Sequence, residues 1–235
     1  DRWTAWRMEY SRLNAGDIYP THSIGPVCRL LDIHRTDRLH YLTAMQTNAF
    51  KGAEMYQEVM GKACDSFANG DQTSTMIRTV KGKTMLIQHN VMTPRPYSRM
   101  FQAVGTQGYV AKYPIPEVQL SPERAAKVGL DLEDSNQSLN ASQIESLLNH
   151  YAPSFPPETI ALAKKLDARG GMSYFMDLRL AQCLQQGLSL DMDVYDLAEW
   201  CCIAELSKRS IEHGSMPVMI PDFVHRTPLS DKEKI

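Results

Sequence analysis

Hydrophobic and polar residues follow a short period between residues 39 and 113. Four runs in this segment are rich in β-branched, aromatic and aliphatic residues and are bounded by turn-forming residues: LHYLTAMQT, TSTMIRTV, KTMLIQHNV and MFQAV. Such runs are typical of β-strands. Lys81-Gly82 and the GTQG at 105–108 leave hairpin-length gaps, and the pattern shows no helix of crossover length. It therefore predicts one antiparallel meander.

Helical spacing predicts the elements that flank this sheet. One helix is expected around Pro26, with Thr21 or Ser23 as its cap. Asn140 and Gln143 have the spacing of a capping box at the start of another helix. Further helices are predicted from Pro156-Pro157 to Gly170-Gly171, from Met172 to Gly187, and over roughly 194–212.

The last two helices each carry an apolar stripe. In the first, the stripe consists of Met172, Phe175, Met176, Leu180 and Leu184. In the second, the residues predicted to face inward are Val194, Leu197, Ala198, Cys201 and Ala204. Both stripes follow the helical period, so the sequence predicts amphipathic helices that pack on other elements.

These patterns predict the α+β class, with an open, predominantly antiparallel β-sheet and helices on one face. We expect a single domain over residues 1–235. The polar, proline-bearing segment 114–139 is expected to be a surface excursion, and the charged tail after Phe223 is expected to be loosely held. The uncovered sheet face should expose residues such as Met76, Ile77 or Met85, and an apolar face of this kind predicts a homo-oligomer.

Charge and cysteine content exclude several functions. The 25 Lys and Arg residues against 27 Asp and Glu leave a net charge of -2, which argues against a nucleic-acid partner. The five cysteines are an odd number without a C-x-x-C pair, so neither a complete disulfide framework nor a zinc site is predicted. No apolar run is long enough for a membrane span, and the amphipathic first residues do not have the pattern of a secretion signal, so we expect neither element in this sequence.

The segment DIYPTHSIGPV contains the first candidate chemistry. Pro20 fixes Tyr19 and His22 just ahead of a helix whose first N–H groups are unpaired and whose dipole end is positive. That environment suits an oxygen-rich ligand and a neutral imidazole that accepts a proton. Spacing alone also fits a structural role, in which the tyrosine packs and the histidine caps the helix.

The segment TPRPYSR is the second candidate. Two prolines stiffen a loop that presents Arg95, Tyr97 and Arg99, although an ordinary solvated turn has the same composition. His89 alternates within a strand, which favours a sheet position over a ligand role. No metal-binding spacing of histidines and no GxGxxG are present, so the sequence predicts neither a metal site nor a dinucleotide site in this chain.

Four segments together resemble glycosyl hydrolase family 109, the NAD-dependent α-N-acetylgalactosaminidase-like branch of the Gfo/Idh/MocA oxidoreductases. They are WR at 6–7, GDIYPTHSIGPV at 16–27, HNVMTPRPYSRM at 89–100, and GGMSYFMDLRLAQCLQQGLSLDMDVYDLAEW at 170–200. Ser23 stands where many relatives have glycine. The resemblance covers the C-terminal part of such proteins, so we expect the chain to lack their N-terminal Rossmann domain and, alone, to be inactive.

The resemblance implies a glycosidase in which NAD takes a hydride from sugar C3. The C2 proton then becomes acidic, the glycosidic oxygen leaves by elimination, water adds, and the hydride returns. It implies that Tyr19 and His22 are catalytic and that the substrate, an N-acetylgalactosamine-type glycan, contacts Arg7, Tyr19, Pro20, Thr21, His22 and Tyr97. The cofactor would be bound mainly outside this chain. The resemblance also suggests a secreted or periplasmic location.

Two alternatives stay open. The parent protein could be an NAD(P)-dependent sugar oxidoreductase of the same superfamily, which would accumulate reduced cofactor. The chain could instead be a non-catalytic oligomerisation module, whose function would reside in the exposed sheet face.

Overall fold

The computed structural model describes residues 4–134, 136–152, 155–167 and 170–224. Its helices are α1 (Ala5–Leu13), α2 (Thr21–Leu30), α3 (Gly52–Met60), α4 (Pro122–Lys127), α5 (Ala141–Tyr151), α6 (Pro157–Leu166), α7 (Met172–Gln186) and α8 (Val194–Glu212). Its strands are β1 (Leu39–Gln46), β2 (Thr73–Thr79), β3 (Thr84–His89), β4 (Gln102–Gly105), β5 (Gly108–Ala111), β6 (Glu117–Leu120) and β7 (Val218–Met219). From His225 onward, the predicted loose tail lies outside the described residues.

The chain divides into two compact units. One comprises the residues up to Arg95 together with those from Asp191 onward, and the other runs from Pro96 to Leu190. The first unit contains an antiparallel sheet in the order β3-β2-β1-β7, and the second contains an antiparallel sheet in the order β4-β5-β6. The open, antiparallel α+β class is therefore confirmed, but the single predicted meander is divided between two sheets.

Helices α2 and α8 cover one face of the first sheet. The core between them consists of Ile24, Cys28, Ile33, Leu39, Leu42, Ile77, Met85, Ile87, Trp200, Ile203, Leu206 and Ile220. Gly25 of α2 lies against the Trp200 ring, and a Cβ there would be 3.1 Å from the ring atom Cζ3. Apolar burial at this contact fixes α2, and with it the segment immediately before α2.

The opposite sheet face is exposed, but its residues are only partly those predicted. Met76 is 52% exposed, whereas Ile77 is 1% exposed and Met85 is also buried, so the prediction was right for Met76 and wrong for the other two. Side chains alternate along a strand, and Ile77 is paired with Met85 on the helix-covered face. Met45 and Leu86 join Met76 as exposed apolar residues of the three longest strands.

Helix α8 has the predicted bounds but the opposite buried face. Leu197 is 52% exposed and Val194 and Cys201 are also exposed, whereas Trp200, Ile203 and Leu206 are buried. The predicted inward face was therefore wrong. Apolar periodicity failed because two acidic residues lie on the buried face and are paired there by basic residues from the segment after α2.

Those two acidic residues are Asp196 and Glu199. Arg35 binds both carboxylate oxygens of Asp196, at 2.9 and 3.2 Å, and His34 Nε2 lies 2.9 Å from Glu199 Oε2. Burial alone would raise the pKa of Asp196, but the hydrogen bonds from Arg35 hold that pKa below its ordinary value. Buried charges of this kind need such partners, which come from distant parts of the sequence.

Helix α3 interrupts the predicted meander between its first two strands. The Asp71 carboxylate accepts hydrogen bonds from the N–H groups of Phe50, Lys51 and Gly52, at distances of 2.9 to 3.2 Å. The N-terminus of α3 is thus capped by a residue about twenty positions later. A helix capped in this way has no local start signal, which explains why the pattern did not predict it.

The second unit corrects the expectation for 114–139. That segment contains β6 and α4, and Ala125, Leu132 and Leu139 are buried in a small apolar cluster, so it is not merely a surface excursion. The predicted hairpin at 105–108 is confirmed, since Gly105 pairs with Gly108. The predicted capping box of α5 is also confirmed.

Helix α7 ends at Gln186, with Gly187 in the left-handed region at φ +66° as its C-cap, and the predicted stop is confirmed. Its stripe of Met172, Met176, Leu180 and Leu184 is exposed.

Candidate functional site

Tyr19 and His22 form a stacked pair at the surface of the first unit. Their ring centroids are 4.8 Å apart and their planes are inclined by 29°. Tyr19 immediately precedes Pro20, the N-cap residue of α2, and His22 lies in the first turn of that helix. Both side chains are exposed, Tyr19 by 46%. The three-residue spacing therefore gives a phenol and an imidazole that a ligand can reach together.

Pro20 and Pro26 determine the backbone around His22. The carbonyl of Pro20 accepts the N–H groups of Ser23 and Ile24 at 3.0 and 2.9 Å, which starts α2. No side chain caps this helix, so the predicted capping by Thr21 or Ser23 was wrong, and so was the structural role of His22 as a cap. Pro26 lies inside α2 and has no N–H, so the carbonyl of His22 receives no helical bond from residue 26.

Arg7, in helix α1, lies beside the Tyr19–His22 pair. The guanidinium carbon of Arg7 lies 5.8 Å from the ring centroid of Tyr19 and 5.1 Å from that of the exposed Trp6. These distances are within the range of cation–π interactions. The structure thus brings together three of the predicted residues, Arg7, Tyr19 and His22. The sequence had not singled out Trp6, although it forms half of the WR motif.

The other predicted contact residues differ in their placement. Pro20 is buried and Thr21 is half-buried, so both form the backbone under the stacked rings. Tyr97 belongs to the second unit, where it is exposed and accepts a 2.6 Å hydrogen bond from Arg99 Nε. Its ring also meets that of Tyr113 edge-on at 6.3 Å. The role of Tyr97 toward a substrate stays a prediction.

Asp17 is a candidate that the sequence did not suggest. It lies two residues before Tyr19, is only 1% exposed, and its carboxylate accepts the Tyr19 N–H at 3.4 Å. Burial raises the pKa of Asp17 to about 6, against the smaller opposing effect of that hydrogen bond. A buried carboxyl with a raised pKa beside exposed Tyr and His side chains is typical of functional sites. Its burial distinguishes Asp17 from other aspartates, and burial cannot be read from the sequence.

His89 occupies the end of β3, as the alternation predicted. Burial lowers the pKa of its imidazole. Among the described residues, no group of three or more His, Cys, Asp or Glu side chains is arranged to hold a metal ion. Over the same residues, no helix is both long and apolar enough to cross a membrane.

The chemistry of the site follows from its three side chains. A phenol and an imidazole provide hydrogen-bond donors and acceptors and exchange protons, while a guanidinium provides fixed positive charge. All three lie at one surface of an α+β unit whose core holds α2 in place. These side chains can form hydrogen bonds to a hydroxyl-rich ligand and can transfer protons to or from it.

The comparison with known families assigns this domain. The family model described as glycosyl hydrolase 109, C-terminal domain, matches residues 2–227, and the chain belongs to this family. It is 52% identical over 224 residues to glycosyl hydrolase family 109 protein 1 of Bacteroides fragilis. The aligned region covers 94% of this chain and 48% of that protein. The family resemblance predicted from the sequence is thereby confirmed.

Two further relatives of the same family have similar sequence identity to this chain. A glycosyl hydrolase family 109 protein of Porphyromonas gingivalis is 52% identical over 227 residues, and protein 1 of Bacteroides thetaiotaomicron is 50% identical over 224 residues. Each match covers 94% of this chain and 48% of the relative. The chain therefore spans about half the length of the curated relatives it matches.

Proposed function

We propose that this chain is the substrate-binding part of a glycosidase that acts on N-acetylgalactosamine-type glycans. The observation that carries the proposal is the exposed stack of Tyr19 on His22 beside Arg7, in a chain that belongs to a glycosyl hydrolase family. Arg7 and the Tyr19 hydroxyl would hold sugar hydroxyls and the N-acetyl oxygen. His22 and Tyr19 would exchange protons with the sugar ring.

We further propose that the glycosidic oxygen leaves by elimination from a sugar that is transiently oxidised at C3, where NAD bound outside the described residues would take the hydride and return it after water has added. In this route His22 or Tyr19 removes the C2 proton and the other residue protonates the departing oxygen. Both roles suit two proton-exchanging groups on one surface. The route differs from the two-carboxylate route, for which no pair of exposed acidic residues lies among the side chains of this site.

The described residues do not themselves fit NAD. Every named strand pair is antiparallel, and no glycine-rich turn leads from a parallel strand into a helix, so the βαβ cradle that binds a dinucleotide pyrophosphate is missing from these residues. NAD would supply hydride transfer when bound outside these residues, and none of the described residues is therefore placed on the cofactor.

The test is the reaction of the full-length protein with a nitrophenyl α-N-acetylgalactosaminide. Release of nitrophenol without net accumulation of NADH supports the glycosidase. Accumulation of NADH with no nitrophenol supports a sugar oxidoreductase and contradicts the proposal. A nitrophenyl α-galactoside, which lacks the N-acetyl group, serves as the matched control for the sugar class.

A second role is favoured by the uncovered face of the first sheet. Met45, Met76 and Leu86 lie exposed on adjacent strands, where water contacts apolar surface that another surface could bury. We propose that a second copy of the protein packs on this face, so that the domain both binds substrate and assembles the oligomer. The oligomeric state of variants at these positions tests this role.

A further inference from the structure

The peptide that links Gly16 to Asp17 is held by side chains from distant parts of the first unit. The Gly16 carbonyl accepts hydrogen bonds from Asn69 at 2.8 Å and from Thr73 at 3.2 Å, and Ser207 Oγ accepts the Asp17 N–H at 2.8 Å. The N–H of the preceding peptide, that of Gly16, donates to Gln46 Oε1 at 3.1 Å. Each polar group of the peptide between Gly16 and Asp17 therefore has a protein partner two residues before Tyr19.

Gly16 also brings the chain into direct contact with α8. Its φ is +91°, in the left-handed region that favours glycine, and a Cβ at this position would be 2.7 Å from the backbone nitrogen of Lys208 and from Ser207 Oγ. The segment before Tyr19 thus rests on the backbone of α8. Movement of Ser207 would be passed to Tyr19 over only two residues.

This arrangement is not explained by stability alone. It places the Asp17 carboxyl in the interior, where burial raises the pKa to about 6 and disfavours the charged form at neutral pH. An apolar residue there would avoid that cost. Fixing the backbone ahead of the Tyr19–His22 stack is a benefit that depends on the site and not on the core.

We propose that Ser207 is a positioning residue for Tyr19 and His22, acting through the Asp17 N–H that it accepts. The inference rests on the proposed function, in which these two rings contact the sugar. Groups that exchange protons with a substrate must be held close to their productive geometry, and displacements of about 1 Å can lower rates on the order of 100-fold.

Ser210 provides a matched control on the same helix. Like Ser207 it is fully buried, and its Oγ also accepts a backbone N–H, that of Ala44 at 2.9 Å. Each hydroxyl also donates to a carbonyl, Ser207 to Ala204 and Ser210 to Met216. Ser210 fastens strand β1 instead of the segment before Tyr19. Ser207→Ala and Ser210→Ala therefore remove equivalent hydrogen bonds, and only the first concerns the site.

The first readout is the ring stack itself, observed by NMR on this chain with labelled His and Tyr rings. We expect Ser207→Ala to weaken the nuclear Overhauser contacts between Tyr19 and His22 and to shift the His22 ring protons, while Ser210→Ala leaves both as in the wild type. Unchanged contacts and shifts in Ser207→Ala would overturn the proposal. If Ser207→Ala does not fold, Asn69→Leu removes the shorter of the two hydrogen bonds to the Gly16 carbonyl, and the same two outcomes decide.

The second readout is steady-state kinetics of the full-length protein on the nitrophenyl N-acetylgalactosaminide. We expect kcat to fall at least about tenfold in Ser207→Ala and less than about twofold in Ser210→Ala. Equal losses of kcat in the two variants would overturn the positioning role. An inactive wild type would instead contradict the proposed function, and the ring contacts would then decide the role of Ser207 separately.

Discussion

The ring of Tyr19 stacks on the ring of His22 with their centroids 4.8 Å apart, three residues apart in the chain and at the start of one helix. This pair is the chemical centre of the proposed site, because one group can remove a proton from a ligand while the other delivers one. Arg7 supplies the positive charge beside it, at 5.8 Å from the Tyr19 ring.

Asp17→Asn should stabilise the fold at neutral pH. Because burial raises the pKa of the folded Asp17 to about 6, above its unfolded value near 3.9, the folded state binds the proton more tightly. The contribution of Asp17 to stability is then fully present below about pH 4 and is lost as the pH rises through 6. Relative to wild type, the variant should gain up to about 3 kcal/mol between pH 4 and 7.5.

Asp196→Asn serves as the control, because it should change the free energy of unfolding in the opposite direction. Hydrogen bonds from Arg35 lower the pKa of Asp196 despite its burial, so its contribution to stability is present above the unfolded pKa and is lost as the pH falls. The variant should therefore be less stable than wild type at pH 7.5. Chemical denaturation at several pH values checks both variants, and a wild-type advantage over Asp17→Asn that grows with pH would contradict the assignment of Asp17.

The buried face of α8 is tested by a pair of truncations. Ile203→Ala should lower the free energy of unfolding by about 2–5 kcal/mol, because it leaves a cavity in the core. Leu197→Ala, which removes an exposed side chain from the face that the sequence predicted to be inward, should change it by less than about 0.5 kcal/mol. Urea denaturation measures both, and the reverse order would mean that the other face is the buried one.

The sequence predicted elements whose signals are local and missed those whose partners are distant. The capping box of Asn140 and Gln143 is a three-residue signal, and it is present as predicted. The buried face of α8 includes Asp196, whose partner Arg35 lies 161 positions earlier in the chain. The apolar periodicity does not contain this distant pairing and therefore predicted the wrong buried face. Helix α3 was missed for the same reason, since its cap is Asp71.

The residues of the candidate site also differ in whether local sequence signals could predict them. Tyr19 and His22 could be predicted as a pair because three-residue spacing at a helix start brings side chains to one surface. Asp17 could not be predicted, because its burial depends on tertiary structure, in which its N–H donates to Ser207, 190 positions away in the chain. The roles of the predicted site residues toward a sugar stay predictions.

The exposed sheet face should mediate self-association. We expect light scattering to give a dimer or higher oligomer for the wild type, and Met45→Glu with Met76→Glu to give a monomer, because charge on an apolar face opposes its burial. Leu197→Glu adds one charge on the exposed side of α8, which covers the opposite face of the sheet, and should leave the oligomer intact. A wild-type monomer at high protein concentration would contradict the prediction.

The isolated chain should fold and yet bind no NAD. Both of its sheets are antiparallel and each contributes to an apolar cluster, whereas the residues that the structure describes form no dinucleotide cradle. Thermal denaturation should give a cooperative transition, and calorimetry should detect no NAD affinity in the micromolar range. Micromolar binding to this chain would show that its own residues form a cofactor site.

Steady-state kinetics of the full-length protein on a nitrophenyl N-acetylgalactosaminide test directly whether Tyr19 and His22 are catalytic. His22→Ala and Tyr19→Phe should lower kcat by about 100-fold to 10,000-fold, because each removes a proton-transfer group. Arg7→Ala should act chiefly on KM, because the proposed role of Arg7 is to hold the sugar, and Tyr97→Phe tests separately the predicted role of Tyr97 toward the substrate. A kcat near the wild-type value in His22→Ala would contradict the catalytic role of the stacked pair.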